Sequence, residues 1–376
     1  MRVLVAGAGI AGLSVAYWLA RVGVEVVVAE KASRLDARGY GMNLVGQCLR
    51  VLDEMGLRDV LEEQRLPVTE NRVLERDGTL VRKLDIAEFN SPGSGLFIRR
   101  SALQDALAGA TAPSVDLRLS TPVREIVDTP DGVLARLGGS EEPFSLAIGA
   151  DGIHSAVREI VCPDAVSRSL GVHYVAVSLD ARFPDTEGAY TVNGPGGRAA
   201  TLTMVSESEW TGLFWVRDSN EPVPAPDEAR HYLTRQFSGF GWIIPEIIER
   251  IDPRRCYCGE AVQIRADRWS NGRTTIIGDA AWCLSPVAAR GAAAALVGAR
   301  RLGNALTAGG DIEASCEDFE RDFRPVAERA QQTAAQTLEY MLPLEDSAAA
   351  MQAGYLRTMA EEALQQAMRA QFADGF

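Results

Sequence analysis

The sequence predicts an α/β protein with an inserted antiparallel sheet and a helical C-terminal tail, and three observations support this fold class. The chain opens with a buried β-type run, a glycine-rich turn and a helical segment. Residues 170–265 alternate apolar and polar positions in several runs, which is typical of antiparallel strands with one buried face. From Phe319 onward the composition is helical, with Pro325 and Pro343 as the expected interruptions.

The first segment has the element order of a dinucleotide-binding βαβ unit. A short buried strand is predicted at 2–6, and the turn GAGIAG follows at 7–12. A helix is predicted at 13–21 and a second, β-branched strand at 24–29. Because strand, glycine-rich turn and helix occur in this order, the segment predicts a Rossmann-like nucleotide-binding domain.

The residues of this turn have separate physical roles in such a unit. Gly7 allows the tight turn, Gly9 lets backbone approach a pyrophosphate, and Gly12 lets helix and strand pack closely. Ala11 belongs to the same turn, which precedes a helix whose N–H groups and positive dipole end point at the phosphates. Glu30 ends the second strand, where a carboxylate can accept hydrogen bonds from both ribose hydroxyls.

The elements after this βαβ unit differ from the second βαβ half that completes an ordinary Rossmann fold. The run at 73–84 predicts a hairpin with Asp77-Gly78 as its turn. A strand and helix follow near 97–103, and residues 115–150 read as strands that return to the cofactor domain. The run TTIIGDA from Thr274 predicts another buried strand followed by a helix.

Composition excludes several classes of protein. A hydrophobic content of 47% with 24% charged residues is that of a folded globular chain. The net charge of −13 argues against a nucleic-acid partner, which requires a basic surface. No apolar run reaches ~18 residues, so we expect no membrane-spanning segment and a cytoplasmic protein. The six scattered cysteines and three histidines predict neither a disulfide framework nor a metal site.

Three separated motifs resemble those of the class A FAD-dependent monooxygenases with the p-hydroxybenzoate hydroxylase fold. The first is the GxGxxG turn with Glu30. The second, GADGIHSAVR at 149–158, is similar to the family's ADGxxSxxR motif and is termed the DG motif. The third, GDAA at 278–281, is followed by Pro286 and Gly291 and is termed the GD motif. The helical segment after it resembles the bacterial branch with tetracycline-inactivating and polyketide-tailoring hydroxylases.

The resemblance implies a discontinuous Rossmann-like FAD-binding domain with an inserted antiparallel-sheet substrate domain. The implied boundaries are 1–72 with 97–165 and 266–325 for the FAD-binding domain, 73–96 with 166–265 for the substrate domain, and 326–376 for the C-terminal helices. It also implies FAD as cofactor, NADPH or NADH as transient reductant, O₂ and a small hydrophobic organic substrate, in a monomer or homodimer.

Site residues carried over from the family are implied by the same resemblance. Arg38 matches an arginine used for NADPH, and Arg100 matches an arginine near the FAD. Asp151 ends a strand beside the cofactor, Asp279 contacts its ribityl–pyrophosphate region, and Pro286 lies beside the flavin ring. Arg158 is expected to hold the corner at the DG motif together.

The start of the helix after Pro286 is expected to contact the flavin edge through the backbone N–H groups of Gly291, Ala292 and Ala293. Ala289 stands where the family usually has glycine, and alanine does not readily adopt positive φ. Two hypotheses therefore stay open. One is an NAD(P)H-consuming monooxygenase (hydroxylation, epoxidation or Baeyer–Villiger type) of a polycyclic or polyketide-like compound, whose chemistry the flavin carries. The other is a cyclase-like, non-redox tailoring enzyme in which FAD is a scaffold.

Two further patterns have simpler interpretations than a second activity. Asp151, His154 and Ser155 include the residue types of a hydrolase triad, but neighbours in one short segment cannot adopt triad geometry. Phe240 to Pro245 is similar to the W-x-W-x-I-P signature of flavin halogenases with the first Trp replaced. A core or loop contact is the preferred interpretation of that segment.

Overall fold

The computed structural model describes residues 1–35, 40–183, 186–371 and 376, which form strands in four sheets with helices around them. The strands are β1 (Arg2–Ala6), β2 (Glu25–Ala29), β3 (Gly41–Val45), β4 (Glu70–Glu75), β5 (Leu80–Asp85), β6 (Gly95–Arg99), β7 (Asp116–Arg118), β8 (Val123–Thr129), β9 (Gly132–Leu137), β10 (Ser140–Phe144), β11 (Leu146–Gly149), β12 (Val166–Asp180), β13 (Ala189–Gly194), β14 (Arg198–Ser206), β15 (Glu209–Arg217), β16 (Cys256–Arg265), β17 (Ser270–Asn271) and β18 (Thr274–Ile276). The helices are α1 (Ile10–Ala20), α2 (Gln47–Glu54), α3 (Arg58–Glu62), α4 (Arg100–Thr111), α5 (Ala156–Val161), α6 (Ala229–Gln236), α7 (Ile244–Glu249), α8 (Asp279–Trp282), α9 (Gly291–Thr307), α10 (Ile312–Met341), α11 (Asp346–Thr358) and α12 (Glu361–Gln371). Three 3₁₀ turns lie at Ala87–Asn90, Pro253–Arg255 and Pro286–Ala288.

The N-terminal unit forms the centre of a six-stranded sheet with the order β17-β18-β11-β1-β2-β7. The pairs from β18 to β7 are parallel, and β17 is antiparallel to β18. β1 is buried except at its first residue, and α1 is covered by both α4 and α9. The carboxyl ends of β1, β11 and β18 therefore meet at one edge, where ligands bind in open parallel sheets.

Helix α1 begins earlier than the sequence indicated. It starts at Ile10 inside the glycine-rich turn, because Gly9 is extended and already accepts the first intrahelical hydrogen bond from Leu13 at 2.9 Å. The helix ends before Gly23, whose φ of +84° is readily adopted only by glycine. The predicted α/β class with its Rossmann-like part is confirmed.

The second large sheet has seven strands in the order β16-β12-β15-β14-β13-β4-β5. Most neighbours are antiparallel, as the alternating pattern indicated, but β4 pairs with β13 in parallel. That exception arises because β4 and β5 come from the early hairpin, with Gly78 at its turn, and add to the edge of the later strands. A three-stranded sheet, β10-β9-β8, and a two-stranded sheet, β3-β6, complete the strands described.

Successive side chains of a strand point to opposite faces of the sheet, so the seven-stranded sheet has two different apolar faces. On one face, residues such as Val175 and Val177 pack against α6 and α7. On the other, Tyr174 and Ala176 pack with Val287, which follows the GD motif. The second face therefore looks toward the edge of the six-stranded sheet where the sequence motifs meet.

The C-terminal part is helical, but Pro325 does not interrupt it. Pro325 lies inside α10, whose 30 residues run unbroken from Ile312 to Met341. The expectation of a break there is wrong, because contacts along the helix outweigh one missing N–H. Phe319 and Phe323 anchor the helix in the main core, and Pro343 follows its end.

Gln331 joins α10 to strand β16 and to the loop that follows the GD motif. Its side chain is 3% exposed, and its Nε2 donates to the carbonyl oxygens of Ile264 at 2.8 Å and Cys283 at 3.1 Å. Its backbone carbonyl oxygen accepts from the Nε2 of Gln263 at 2.7 Å. These bonds hold the helix against β16 and against the loop that follows the GD motif. Among the helices described, none combines the length and hydrophobicity needed to cross a bilayer.

We predict that Gln331→Leu lowers the free energy of unfolding by about 2–3 kcal/mol, because it removes the buried hydrogen bonds that Nε2 donates and leaves the accepting carbonyl groups with fewer donors. Gln332→Leu is the matched control, since Gln332 is exposed on the same helix and should change stability by less than about 0.5 kcal/mol. Urea unfolding followed by circular dichroism measures both. Equal effects of the two substitutions would contradict this role of Gln331.

Candidate active site

The glycine-rich turn is shaped by close backbone contacts. Gly7 has φ +102°, and a Cβ there would lie 2.5 Å from the carbonyl oxygen of Ala150. A Cβ on Gly12 would lie 1.9 Å from the carbonyl oxygen of Gly7. At Gly9 a Cβ would meet no described atom within 4 Å, so this backbone faces open space. Gly7 and Gly12 are therefore required by packing, and Gly9 leaves room for a ligand.

The start of α1 presents N–H donors that have no intrahelical acceptor beside that space. Because the first intrahelical bond runs from Leu13 to Gly9, the N–H groups of Ile10, Ala11 and Gly12 have no intrahelical acceptor. The first turn also has no acidic residue that would offset the positive end of the helix dipole. This arrangement suits a phosphate group.

Glu30 contacts the same turn. Its Oε2 accepts a hydrogen bond from the Ala8 N–H at 2.8 Å, and its Oε1 accepts one from the Ala32 N–H at 2.8 Å. Each carboxylate oxygen can accept a second bond, so the carboxylate can hold the turn and still receive ribose hydroxyls. The ribose role of Glu30 stays a prediction, and the sequence analysis did not predict this structural role.

The DG motif is organised around helix α5. Asp151 accepts bonds through Oδ1 from the Ser155 hydroxyl at 2.5 Å and through Oδ2 from the Ala156 N–H at 2.8 Å. Ser155 in turn caps the Arg158 N–H at 2.9 Å. The structure thus gives Asp151 a helix-capping role, and its contact with a cofactor stays a prediction.

Arg158 connects the DG and GD motifs. Its guanidinium donates to the carbonyl oxygen of Ile153 at 2.7 Å and to that of Ala280 at 3.2 Å. Burial lowers the pKa of Arg158, although Asp151 opposes that shift. One side chain therefore fixes the distance between the two loops.

Asp279 lies at the wall of the cleft formed by these loops. It follows Gly278, whose φ is +64° and where a Cβ would lie 2.7 Å from the Cβ of Ala11. The Asp279 side chain is accessible, yet the surrounding protein desolvates it and raises the pKa of its carboxyl group, a shift that the nearby Arg100 charge opposes. Arg100 begins α4, so the structure brings both predicted residues to one cleft.

The loop after the GD motif contains the departure from the family pattern. Pro286 starts a 3₁₀ turn, and Ala289 ends it in the left-handed region at φ +53° and ψ +25°. Alanine thus adopts the conformation that glycine usually provides, although its own backbone preference disfavours a positive φ. Packing of the loop outweighs a backbone cost of roughly 1–2 kcal/mol.

Helix α9 starts directly after this turn and has N–H donors of its own that lack an intrahelical acceptor. Its first intrahelical bond joins the Ala294 N–H to the Arg290 carbonyl at 3.0 Å, so Gly291, Ala292 and Ala293 have no intrahelical acceptor for their N–H groups. The first turn has neither an acidic residue nor a side-chain cap. Gly291 also lies near Asp279, because a Cβ added to Gly291 would be 3.9 Å from Oδ1 of that residue.

Sequence reasoning missed several residues of this region. Gln104 is 6% exposed and donates from Nε2 to the Ala8 carbonyl at 3.1 Å, which ties α4 to the glycine-rich turn. Tyr40 is surrounded by protein, and burial raises its pKa to about 12. Arg290 is buried at the start of α9, where desolvation lowers its pKa to about 10. A polar residue inside an otherwise apolar helix face was the available signal for Gln104. Arg38 lies outside the described residues.

These features fit FAD. Two helix N-termini whose first N–H groups have no intrahelical acceptor, an open backbone at Gly9 and a carboxylate at Glu30 match the phosphates and ribose of an adenine dinucleotide. The residues that would hold the cofactor are the predicted ones of the turn, Glu30, Arg100, Asp279 and the start of α9. In the described part of the chain, no group of three or more His, Cys, Asp or Glu side chains is placed to hold a metal ion.

Comparison with known proteins places the chain in a family. A model of the FAD binding domain family matches residues 1–334. The chain belongs to this family. The resemblance to class A FAD-dependent monooxygenases is thereby confirmed, and this FAD binding domain protein is an FAD-dependent monooxygenase, an oxidoreductase.

Relatives of this FAD binding domain protein are similar over most of their length. The flavin-dependent monooxygenase eupH of Phoma sp is 29% identical over 326 residues, which cover 80% of this chain and 75% of eupH. The 2-heptyl-3-hydroxy-4(1H)-quinolone synthase of Pseudomonas aeruginosa (strain UCBPP-PA14) is 29% identical over 305 residues, covering 79% and 78%. Klebsiella pneumoniae HpxO complexed with FAD and uric acid shares the fold, with a TM-score of 0.86, 22% identity and coverage of 100% and 97%.

We predict that Glu30→Ala weakens FAD binding about tenfold to a hundredfold, because charge-assisted hydrogen bonds contribute roughly 1.5–3 kcal/mol. Glu25→Ala is the control, since Glu25 is exposed at the other end of β2 and pairs with Arg2 at 2.7 Å. Fluorescence titration of the flavin-free protein measures both. An FAD affinity within twofold of wild type for Glu30→Ala would rule out the ribose role.

We predict that Ala289→Gly raises the free energy of unfolding by about 0.5–1 kcal/mol, because glycine relieves the positive φ of this position. Ala288→Gly is the matched control, since Ala288 has no positive φ and glycine there should destabilise by about 0.5–1 kcal/mol. Chemical unfolding of the two variants should shift in opposite directions. Shifts of the same sign would argue against strain at Ala289.

Proposed function

We propose that this FAD-dependent monooxygenase takes electrons from NADPH or NADH and oxygenates a hydrophobic, aromatic, polycyclic or polyketide-like compound. The observation that carries the proposal is the apolar face of the seven-stranded sheet opposite the cofactor cleft. Tyr174, Leu213 and Trp215 of that face are buried and pack with Val287, which directly follows Pro286. An aromatic wall beside a flavin site would suit a flat organic compound.

Roles of the chain's residues follow from their positions. FAD, when bound, supplies the redox and oxygen-transfer chemistry. The N–H groups at the start of α9 would stabilise negative charge that develops at the edge of the flavin. Asp279 and Arg100 would orient the ribityl–pyrophosphate part of FAD. Tyr174 and Trp215 would exclude water and position the substrate ring. We also propose that the seven-stranded sheet acts as the substrate domain within the boundaries given by the sequence.

The names of the similar proteins support an aromatic substrate. One relative is a synthase of a hydroxylated quinolone, and a protein of the same fold is seen with uric acid. Both compounds are flat heterocycles. The non-redox scaffold hypothesis is less well supported, because Ala289 keeps the left-handed turn that precedes the first N–H groups of α9.

The proposal is tested with purified holoenzyme and a panel of polycyclic aromatic compounds. We expect NAD(P)H oxidation to accelerate with a suitable compound, and one atom of ¹⁸O₂ to appear in the product while the other leaves as water. Conversion of a compound without NAD(P)H and without ¹⁸O incorporation would instead support the scaffold hypothesis.

Arg38→Ala should slow flavin reduction at low NAD(P)H without changing FAD content, since a guanidinium can bind a passing phosphate. Arg50→Ala is the control, because Arg50 is exposed on α2. Stopped-flow reduction measures both variants. Identical rates for wild type and Arg38→Ala at every concentration would remove Arg38 from the proposal.

A further inference from the structure

Two thiols lie side by side on β16, on the face of the seven-stranded sheet that packs against α6 and α7. Cys256 and Cys258 are separated by one residue, so their side chains leave the strand on the same face. Their Sγ atoms are 3.7 Å apart, and both side chains pack with the apolar cluster of that face. Neither thiol has a place in the cofactor cleft, which lies beyond the opposite face of the sheet.

The two thiols differ in exposure and in acidity. Cys256 is 1% exposed, whereas Cys258 is partly exposed to solvent. A hydrogen bond from the Cys256 thiol lowers the pKa of Cys258, and the same bond together with burial raises the pKa of Cys256. Because the thiolate is the form of cysteine that reacts with oxidants, Cys258 is the sulfur that reacts first. Cys256 is then in position to react with the oxidised sulfur.

A disulfide between these sulfurs requires β16 to shorten locally. In a regular strand, Cα atoms two residues apart are separated by about 6.6–6.8 Å, which is the upper limit for a disulfide, and the Cβ atoms must approach to about 3.8 Å. Cys256 is the first residue of β16, and β16 lies at the edge of the sheet, so the strand can bend here. The pairs that must yield are those of Cys256 with Val177 and of Cys258 with Val175 in β12.

The residue between the two cysteines lies on the other face, where it contacts the aromatic wall formed by Tyr174 and Trp215. The ring centroids of Tyr257 and Tyr174 are 5.8 Å apart, and those of Tyr174 and Trp215 are 6.1 Å apart. Tyr174 also fills the space over Gly259, where a Cβ would lie 2.8 Å from its hydroxyl oxygen. Two neighbours of Tyr174 thus belong to β16, so a bend of this strand changes the position of the aromatic wall.

Hydrogen peroxide is the oxidant, and it forms when O₂ takes up two electrons from reduced FAD and no substrate is oxygenated. The Cys258 thiolate attacks one peroxide oxygen, which gives a sulfenic acid at Cys258 and, after uptake of one proton, a water molecule. The Cys256 thiol then attacks that sulfur and forms the disulfide, and the hydroxyl group leaves with the thiol proton as a second water. Two thiols are oxidised, and one peroxide is reduced to two waters.

We propose that Cys256 and Cys258 form a peroxide-reactive dithiol site, and that its disulfide shifts Tyr257 and with it the aromatic wall. Peroxide that the enzyme releases without oxygenating a substrate would then act back on the enzyme. The oxidation of the thiols does not depend on the proposed function. That function enters only where the aromatic wall is taken as part of the substrate face.

The first experiment treats the FAD-loaded enzyme with excess hydrogen peroxide, without substrate or NAD(P)H, and follows the peptide with both cysteines by mass spectrometry. We expect this peptide to lose two hydrogen atoms, a change that dithiothreitol reverses, while the fully buried Cys48 and Cys316 keep their thiols. Cys258→Ser should slow oxidation of the peptide at least about tenfold, because it removes the more acidic thiol. Cys256→Ser should still react and leave a sulfenic acid at Cys258 that dimedone labels.

Cys162→Ser is the matched control. Cys162 is 4% exposed and lies outside the seven-stranded sheet, directly after α5, so its replacement should leave the rate of disulfide formation unchanged. The wild-type measurement decides whether the disulfide forms, even where serine destabilises the buried position 256.

The second experiment compares amide hydrogen exchange of the reduced and the oxidised wild type. Because the disulfide bends an edge strand, residues 172–177 of β12 and 256–262 of β16 should exchange at least about threefold faster after oxidation. Cys256→Ser cannot close the disulfide, so treatment with peroxide should leave exchange in these segments as it is in the reduced variant.

Peroxide that leaves both thiols of the wild type intact would overturn the site. Equal dimedone labelling of Cys256 in Cys258→Ser and of Cys258 in Cys256→Ser would overturn the roles of the two sulfurs. A disulfide that forms without any change of exchange at 172–177 would overturn the effect on the aromatic wall. Failure of the proposed function is distinguishable, since neither measurement uses a substrate, and an absence of ¹⁸O transfer to aromatic compounds would leave both results unchanged.

Discussion

Close backbone contacts at three turns hold the parts of the site together. The glycines at these contacts have no room for a Cβ atom. Gly12 contacts Gly7 so closely that a Cβ would lie 1.9 Å from its carbonyl oxygen, and Gly7 approaches Ala150 in the same way. Gly278 lies against Ala11. Through these contacts the ends of β1, β11 and β18 are held at one sheet edge, so the GxGxxG, DG and GD motifs share one cleft although they are far apart in sequence.

Electrostatics of that cleft differ from those of the molecule as a whole. The chain has a net charge of −13, yet α1 and α9 begin there with N–H groups that have no intrahelical acceptor and with no acidic residue in their first turns. Arg100 and the buried Arg290 add positive charge. The local positive potential of the cleft favours an anionic cofactor there. The net negative charge of the protein disfavours polyanions on the rest of its surface. Because that cofactor carries the reaction, the contribution of the protein is position, exclusion of water and recognition.

Local patterns were sufficient for the regular elements of the cofactor domain. The strand at 2–6, the turn after it and the strand of the TTIIGDA run depend on nearby residues, and the structure has them within one or two positions. The family's motifs also identified FAD and the oxidoreductase class, because a phosphate-binding turn and its helix are specified by neighbouring residues. These properties were determined by the sequence alone.

Only the tertiary structure decided features that depend on residues distant along the chain. The parallel pairing of β4 with β13, the continuation of α10 through Pro325 and the left-handed Ala289 each oppose a local preference that packing overrides. Likewise, Tyr174 and Tyr257 come into contact only when two strands take one register. Local propensities amount to roughly 1–3 kcal/mol at each site, less than tertiary contacts supply, so a sequence pattern can indicate an element but cannot state which side chains will meet.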